Sequence, residues 1–330
     1  MTTLTEVRDR LSRPNSKYLP VYATLAVLAL MYGLGAVNFD EFTHPQVLID
    51  IFIDNSFLLV VAVGMTFVIL TGGIDLSVGS VVALSTMISA SLLEQRGWPA
   101  FVVLPLVLLV GSTLGFLMGC IIHYFDIQPF IVTLAGMFLA RGLCYVIGTD
   151  SIPIRDSFWE TMGSYRFRFA DGEYRISWNV IIAVVVVLIA AWVLAYTRLG
   201  RNTYAIGGNP RSALLMGLPV ARTKIAVYTI SGFCSALGGL MFSFYLGAGY
   251  GLHAVGWELD AIAAVVIGGT LLTGGSGYVL GTVLGVLVLG MIQTLINFQG
   301  QLSSWWTRIF IGAVLFVFIL LQRLIIARKR

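Results

Sequence analysis

Charge is what this sequence has least of. Its 20 Lys and Arg and 16 Asp and Glu make up 11% of 330 residues, where a soluble domain carries about a quarter. With 58% of residues apolar, too few polar groups remain to cover an aqueous surface, and a soluble globular protein is excluded. Cysteine is scarce as well. Cys120, Cys144 and Cys234 sit in apolar runs, odd in number and scattered, and they read as packing residues rather than a disulfide, redox or metal set. His44, His123 and His253 lie far apart near the ends of apolar runs and offer no metal spacing. The only lysines are Lys17, Lys224 and Lys329, and none follows a glycine as a phosphate-binding loop requires. Gly-x-Ser-x-Gly and His-Glu-x-x-His motifs are also missing. The chain is therefore read as a non-enzyme.

Hydrophobic runs fill the space that charge leaves. Ten stretches approach the roughly 20 residues needed to cross a bilayer, near 18–38, 55–72, 78–93, 99–122, 129–148, 178–196, 225–246, 259–273, 279–296 and 308–326. Arg8, Arg10, Arg13 and Lys17 precede the first, but its length and the absence of a cleavage site make it a retained span rather than a signal peptide. Alternate crossings put thirteen of the twenty basic groups on one side and twelve of the sixteen acids on the other. Basic residues near span ends mark the cytoplasm. The expected fold class is an all-α integral membrane protein of about ten transmembrane helices, with both termini cytoplasmic. It comprises a tail at 1–17, a single transmembrane domain at 18–326 and a basic tail at 327–330. The +4 net charge reflects this orientation and no nucleic-acid surface.

Two connections are long. The outer one, 149–177, alternates polar and aromatic residues on both sides of Asp171-Gly172 and predicts a two-stranded hairpin. The inner one, 197–224, carries five basic groups and no acid. Within it Asn209 suits an N-cap, Pro210 the first helical position and Gly217 a left-handed C-terminal cap, with Pro219 preventing continuation. The short helix this predicts would be marginal alone. Ala213, Leu214 and Met216 give it apolar surface that should press against protein, or else lie on lipid headgroups.

Glycine interrupts the spans at two places. Leu70-Thr-Gly72-Gly73 is followed five residues later by Gly79, and Leu272-Thr-Gly274-Gly275 repeats this skeleton, ending at Gly281, 202 positions on. Such backbone at membrane depth must be buried in protein or line a wet cavity. Asp75 and Arg141 are the charges deepest in apolar sequence and need partners. Asp75 reads either as an N-cap of the third span, helped by Ser77, or as a path residue. Arg141 reads either as half of an ion pair with Asp54, Glu258 or Asp260, or as a donor to a polar solute. Glycines at 111, 115 and 119, and at 281 and 285, read as close-packing stripes.

Leu70 to Ser80, Gly207 to Gly217 and Glu258-Leu-Asp-Ala-Ile-Ala-Ala-Val-Val-Ile-Gly-Gly-Thr270 together resemble the membrane subunits of ribose-type sugar ABC importers, over nearly the whole chain. Residues 293–307 and Ser151-Ile-Pro-Ile154 are most similar to permeases of bacterial galactofuranose importers. The resemblance implies a multi-pass protein of the bacterial inner membrane, one of two permease subunits around the path for a monosaccharide. Two different permeases are implied, with a homodimer the alternative. It further implies a separate ATPase subunit holding ATP and Mg, no cofactor in this chain, and a periplasmic sugar-binding protein. The family's coupling segment maps onto residues 208–217, which adds Asn209, Pro210, Arg211, Ala213, Leu214, Met216 and Gly217 as ATPase contacts. Gly72, Gly73, Asp75, Ser77, Arg141, Glu258, Asp260, Gly274 and Gly275 are candidates for the path on the charge and glycine arguments alone. An ion-coupled secondary transporter of a small polar solute is the competing class.

Overall fold

The computed structural model describes residues 19–169, 174–300 and 305–327. The 1–17 tail, the Asp171-Gly172 turn and residues 328–330 of the basic tail lie outside them. All ten apolar stretches are helical. In chain order they are α1 (Leu19–Asn38), α2 (Pro45–Leu70), α3 (Val78–Ala90), α4 (Ala100–Tyr124) and α5 (Pro129–Ile147). After a short helix α6 (Ser157–Ser164) come α7 (Trp178–Tyr196), α8 (Arg198–Gly208), α9 (Pro210–Leu215), α10 (Val220–Leu246), α11 (Trp257–Ile267), α12 (Val279–Gln299) and α13 (Trp305–Ala327).

Among the described residues eight helices are long and apolar enough to cross a membrane: α1, α2, α3 with its π-turn to Gln95, α4, α5, α7, α10 and α12. The apolar part of α13, Trp305–Leu320, is shorter. Two of the expected boundaries change. The second span begins at Pro45, not 55, because proline at the first helical position starts the helix early, so Asp50 and Asp54 lie within α2. The eighth is a half-helix: the 11 residues of α11 reach about 16 Å, and Gly268 ends it.

The core is built on α2 and α10, which pack together and also contact α3 and α4 or α12. From Asn55 to Leu70, α2 is buried on every side, which is why its sequence shows no polar face. The glycine stripes make these contacts possible. A Cβ on Gly111 would sit 2.7 Å from the Gly232 carbonyl oxygen, and one on Gly115 would overlap that of Tyr228. Gly281 and Gly285 likewise press on the backbone of Gly268 and Ala264. Packing, not pore lining, is what both stripes do here.

Contacts sort the connections to two ends. At one end β1 (Ile152–Pro153) pairs with β4 (Ala248–Gly249), and β2 (Arg166–Phe169) pairs antiparallel with β3 (Tyr174–Ser177). The latter is the hairpin the alternation predicts. Gln46 joins Arg175 and Tyr245 joins Asp54 at this same end. At the other end Leu70 meets Gly275, and Tyr204 meets Gly277. The second end carries the inner connection with its five basic groups, the end that the sequence reading expects at the cytoplasm.

Substitution of Gly115 by Val should lower the thermal midpoint in detergent by an amount equivalent to about 1–3 kcal/mol, as overpacking does. Gly142, where a Cβ would meet nothing within 4 Å, should accept alanine without loss. Equal midpoints for the two variants would contradict the packing described.

Candidate functional site

The two glycine breaks, far apart in sequence, meet. The Gly275 amide donates to the Leu70 carbonyl oxygen at 2.9 Å, closing the open end of α2. Gly72 (φ 80°) and Gly274 (φ 84°), equivalent positions of the repeated skeleton, both take the left-handed conformation that glycine alone adopts cheaply. A Cβ on Gly274 would lie 2.7 Å from the Gly72 nitrogen. Gly73 is buried against the Tyr228 hydroxyl, which a Cβ there would overlap.

The seam holds the inner connection. Gly207 of α8 packs so close to Leu70 and Gly275 that a side chain would collide with their backbone. Tyr204 donates its hydroxyl to the Gly277 carbonyl at 2.9 Å. Burial pushes that hydroxyl up to about 12 and nearby Tyr278 adds to the effect, so it stays a donor throughout the working pH range. A cleft of about 610 Å³ opens beside it, lined in part by Arg201, Tyr204, Ser276 and Tyr278.

Next along the chain, α9 has the predicted punctuation. Asn209 accepts the Ser212 amide at 2.9 Å, and Pro210 is the first helical residue. Gly217 (φ 76°) donates to Leu214, and Leu218 to Ala213. Ala213 is buried with Ile206 and Val220, tying α9 to its own chain. Leu214, Leu215 and Met216 are 65%, 89% and 67% exposed. Of the three residues expected to give α9 apolar surface, Ala213 turns inward onto its own chain and Leu214 and Met216 turn outward. Arg211 is exposed beside them.

Asp75 sits above the seam with no solvent exposure. It accepts the Ser77 amide at 2.9 Å, the Ser77 hydroxyl at 2.6 Å and, on its other oxygen, the Ser231 hydroxyl of α10 at 2.7 Å. The residue at the α3 N-cap position is Ser77, whose side chain makes no capping bond to the helix; its hydroxyl donates to Asp75 instead. The capping reading therefore holds only for the Ser77 amide, and the tie to α10 is new.

Arg141 has no carboxylate partner among the described residues. It donates to the carbonyl oxygens of Gly251 and His253 at 2.6 and 2.8 Å, bracing the turn that leads to α11. The three expected acids are engaged elsewhere or sit apart. Asp260 pairs with Arg308 at 2.7 Å, Asp54 accepts the Tyr245 hydroxyl, and the Glu258 Oε2 is buried without a hydrogen-bond partner, packed toward Gly79. Carbonyls presented by the 250–256 turn lie within reach of α5, and the acids do not. Burial and the Arg141 guanidinium hold the His253 imidazole below its ordinary range, so it remains neutral beside the cation at neutral pH.

The family model described as a branched-chain amino acid transport system permease component matches residues 47–319. The chain belongs to that permease family. Its relatives include the inner membrane ABC transporter permease protein YjfF of Escherichia coli K12, 48% identical over 305 residues and 92% of each chain. The fructose import permease protein FruG of Bifidobacterium longum is 41% identical over 336 residues, 99% of this chain and 98% of that one. The ribose import permease protein RbsC of Haemophilus influenzae is 38% identical over 305 residues, 92% and 93% of the two chains. No solved structure matches the chain.

In this permease the sequence-predicted residues form three groups. Gly72, Gly73, Gly274 and Gly275 meet at the seam, Asp75 and Ser77 join α3 to α10, and Arg141 of α5 holds the turn before α11, whose first turn carries Glu258 and Asp260. Sequence reading missed Gly207, Tyr204, Leu215 and Ser231. The run Leu214-Leu-Met216 contained the signal for Leu215; Ser231, 156 residues from Asp75, had none.

A double-mutant cycle on Asp75→Asn and Ser231→Ala should return a coupling energy of about 1.5–3 kcal/mol, as expected for a hydrogen bond to a charged group; additive losses would contradict the tie. Arg141→Leu, which leaves two carbonyls unpaired, should raise amide exchange across residues 250–256, with Arg141→Lys falling between the two. Unchanged exchange in the leucine variant would show that the bracing is not needed.

Proposed function

We propose that this chain is the membrane-spanning permease subunit of an ATP-driven sugar importer in a bacterial inner membrane. Membership in the permease family and the sugar-import names of relatives spanning nearly its full length support this reading. Galactofuranose or a related monosaccharide is the proposed solute, on the resemblance of residues 293–307 and 151–154 noted above. ATP and Mg belong to a separate ATPase subunit, because this sequence has no lysine in a glycine-rich phosphate loop. A second permease subunit, different from this one, completes the path, and a periplasmic sugar-binding protein supplies the solute.

The observation that carries the reading is the tip of α9. Three consecutive large apolar side chains stand exposed at the end assigned to the cytoplasm, on a helix capped at both ends and rooted in the seam. Apolar surface held out in this way marks a contact with another protein. A partner pushing on α9 would act through α8 directly on the Leu70–Gly275 junction. Asp75, tied by three donors from Ser77 and Ser231, has the arrangement of a brace, and nothing favours the ion-coupled class.

Leu215→Asp combined with Met216→Asp should abolish co-purification of the ATPase subunit while the permease still inserts and elutes as a single species. These two positions make the cleaner test because Ala213, as a buried residue, would damage the fold when charged. Retained co-purification would defeat the docking role of α9.

A further inference from the structure

The outer connection is not basic as a whole. Residues 149–177 hold Asp150, Asp156, Glu160, Asp171 and Glu173 against Arg155, Arg166, Arg168 and Arg175. Strand pairing segregates these charges. In the β2–β3 register Arg166 faces Ser177 and Arg168 faces Arg175, so strand alternation puts the three arginines on one face and Phe167 and Ile176 on the other. The apolar face has its cover: the Phe167 ring meets that of Trp178 edge-on, centroids 4.6 Å apart. The basic face, with Ser164 and Tyr165, lines an open cleft of about 730 Å³.

Among the described residues little answers this charge. Asp156 is engaged in capping α6, accepting the amides of Phe158 and Trp159. Arg166 donates to the carbonyls of Gly163 and Tyr165 and lies near Asp54. Arg168 and Arg175 are exposed, and among the described residues neither forms an ion pair. Like charges directly opposite weaken a hairpin, so a register that opposes two guanidiniums costs stability until an anion lies between them. The hairpin is also held in place. Gln46, at the start of α2, accepts the Arg175 amide at 3.0 Å and donates to its carbonyl at 3.3 Å.

We propose that the face made by Arg166, Arg168 and Arg175 is the docking surface for a carboxylate-rich patch on the soluble protein that delivers the solute from outside. This rests on the importer reading, which supplies that partner. Guanidinium groups match carboxylates in bidentate geometry, and clustered charge steers the encounter of two proteins. A soluble partner is favoured over lipid headgroups by the facing of the hairpin. Its apolar side packs on Trp178 at the head of α7, an apolar span with Val184, Leu188 and Trp192 exposed, and the arginines project from the opposite side.

The test uses the assembled complex in nanodiscs and the import system's own periplasmic solute-binding protein as the probe. Wild type should bind it, more weakly as salt rises. Arg168→Glu with Arg175→Glu should weaken binding at least about tenfold, chiefly through slower association, while Arg168→Lys with Arg175→Lys stays close to wild type. Co-purification of the ATPase should be unchanged in both, showing that the fold survives. A glutamate variant that binds like wild type overturns the proposal and leaves the importer reading intact. Absence of binding by the wild-type complex overturns that reading and the proposal together. If phosphatidylglycerol stabilises the wild type thermally but not the glutamate variant, and protein binding is equal in both, the face belongs to lipid and the proposal fails.

Discussion

Backbone that leaves the helix inside a membrane must find its hydrogen bonds within the protein, and this constraint organises the molecule. Two segments, 71–77 and 268–278, break apolar helices, and they meet: the amide of Gly275 closes on the carbonyl of Leu70, with Tyr204 reaching in to Gly277. Only glycine lets chains approach this closely. The seam therefore cannot shift without the inner connection that is packed into it through Gly207. An exposed apolar tip a few residues further on is mechanically joined to this irregular backbone.

One helix runs from this seam to the opposite surface. The 26 residues of α2 extend about 39 Å, ending at Leu70 and beginning beside Gln46, which holds the β3 edge of the hairpin. Buried along most of its length, α2 has little freedom to bend, so a displacement at either end has a stiff element to act upon. Across it lies α10, joined to the α2–α3 break by the Ser231–Asp75 hydrogen bond and to α4 by the glycine stripe. The charged groups that looked costly in the sequence are braces within this frame: Asp75 to a helix, Arg141 to a turn.

Much of the fold was legible because its causes are local or compositional. Ten apolar stretches gave ten helices, and alternation gave the β2–β3 hairpin. The order Asn209, Pro210, Gly217, Pro219 gave α9 nearly to the residue. The helix Arg198–Gly208 went unread, since three glycines and four polar residues within eleven positions obscure its buried stripe of Gly200, Thr203 and Ile206. The half-length of α11 was hidden too, because an apolar run continuing past Gly268 looks the same whether it is helical or folded into a seam.

The sequence by itself determined the medium, the places of the apolar helices and the punctuation of the short inner helix. These depend on transfer free energy, caps and charge, which act over a few residues. Tertiary structure alone decided who partners whom: Arg141 with carbonyls instead of an acid, Asp75 with Ser231, Ala213 turned in and Leu215 out. Partners 110 to 200 positions apart leave no periodic trace, and a buried polar group takes whichever complementary atom the packing of helices brings within reach.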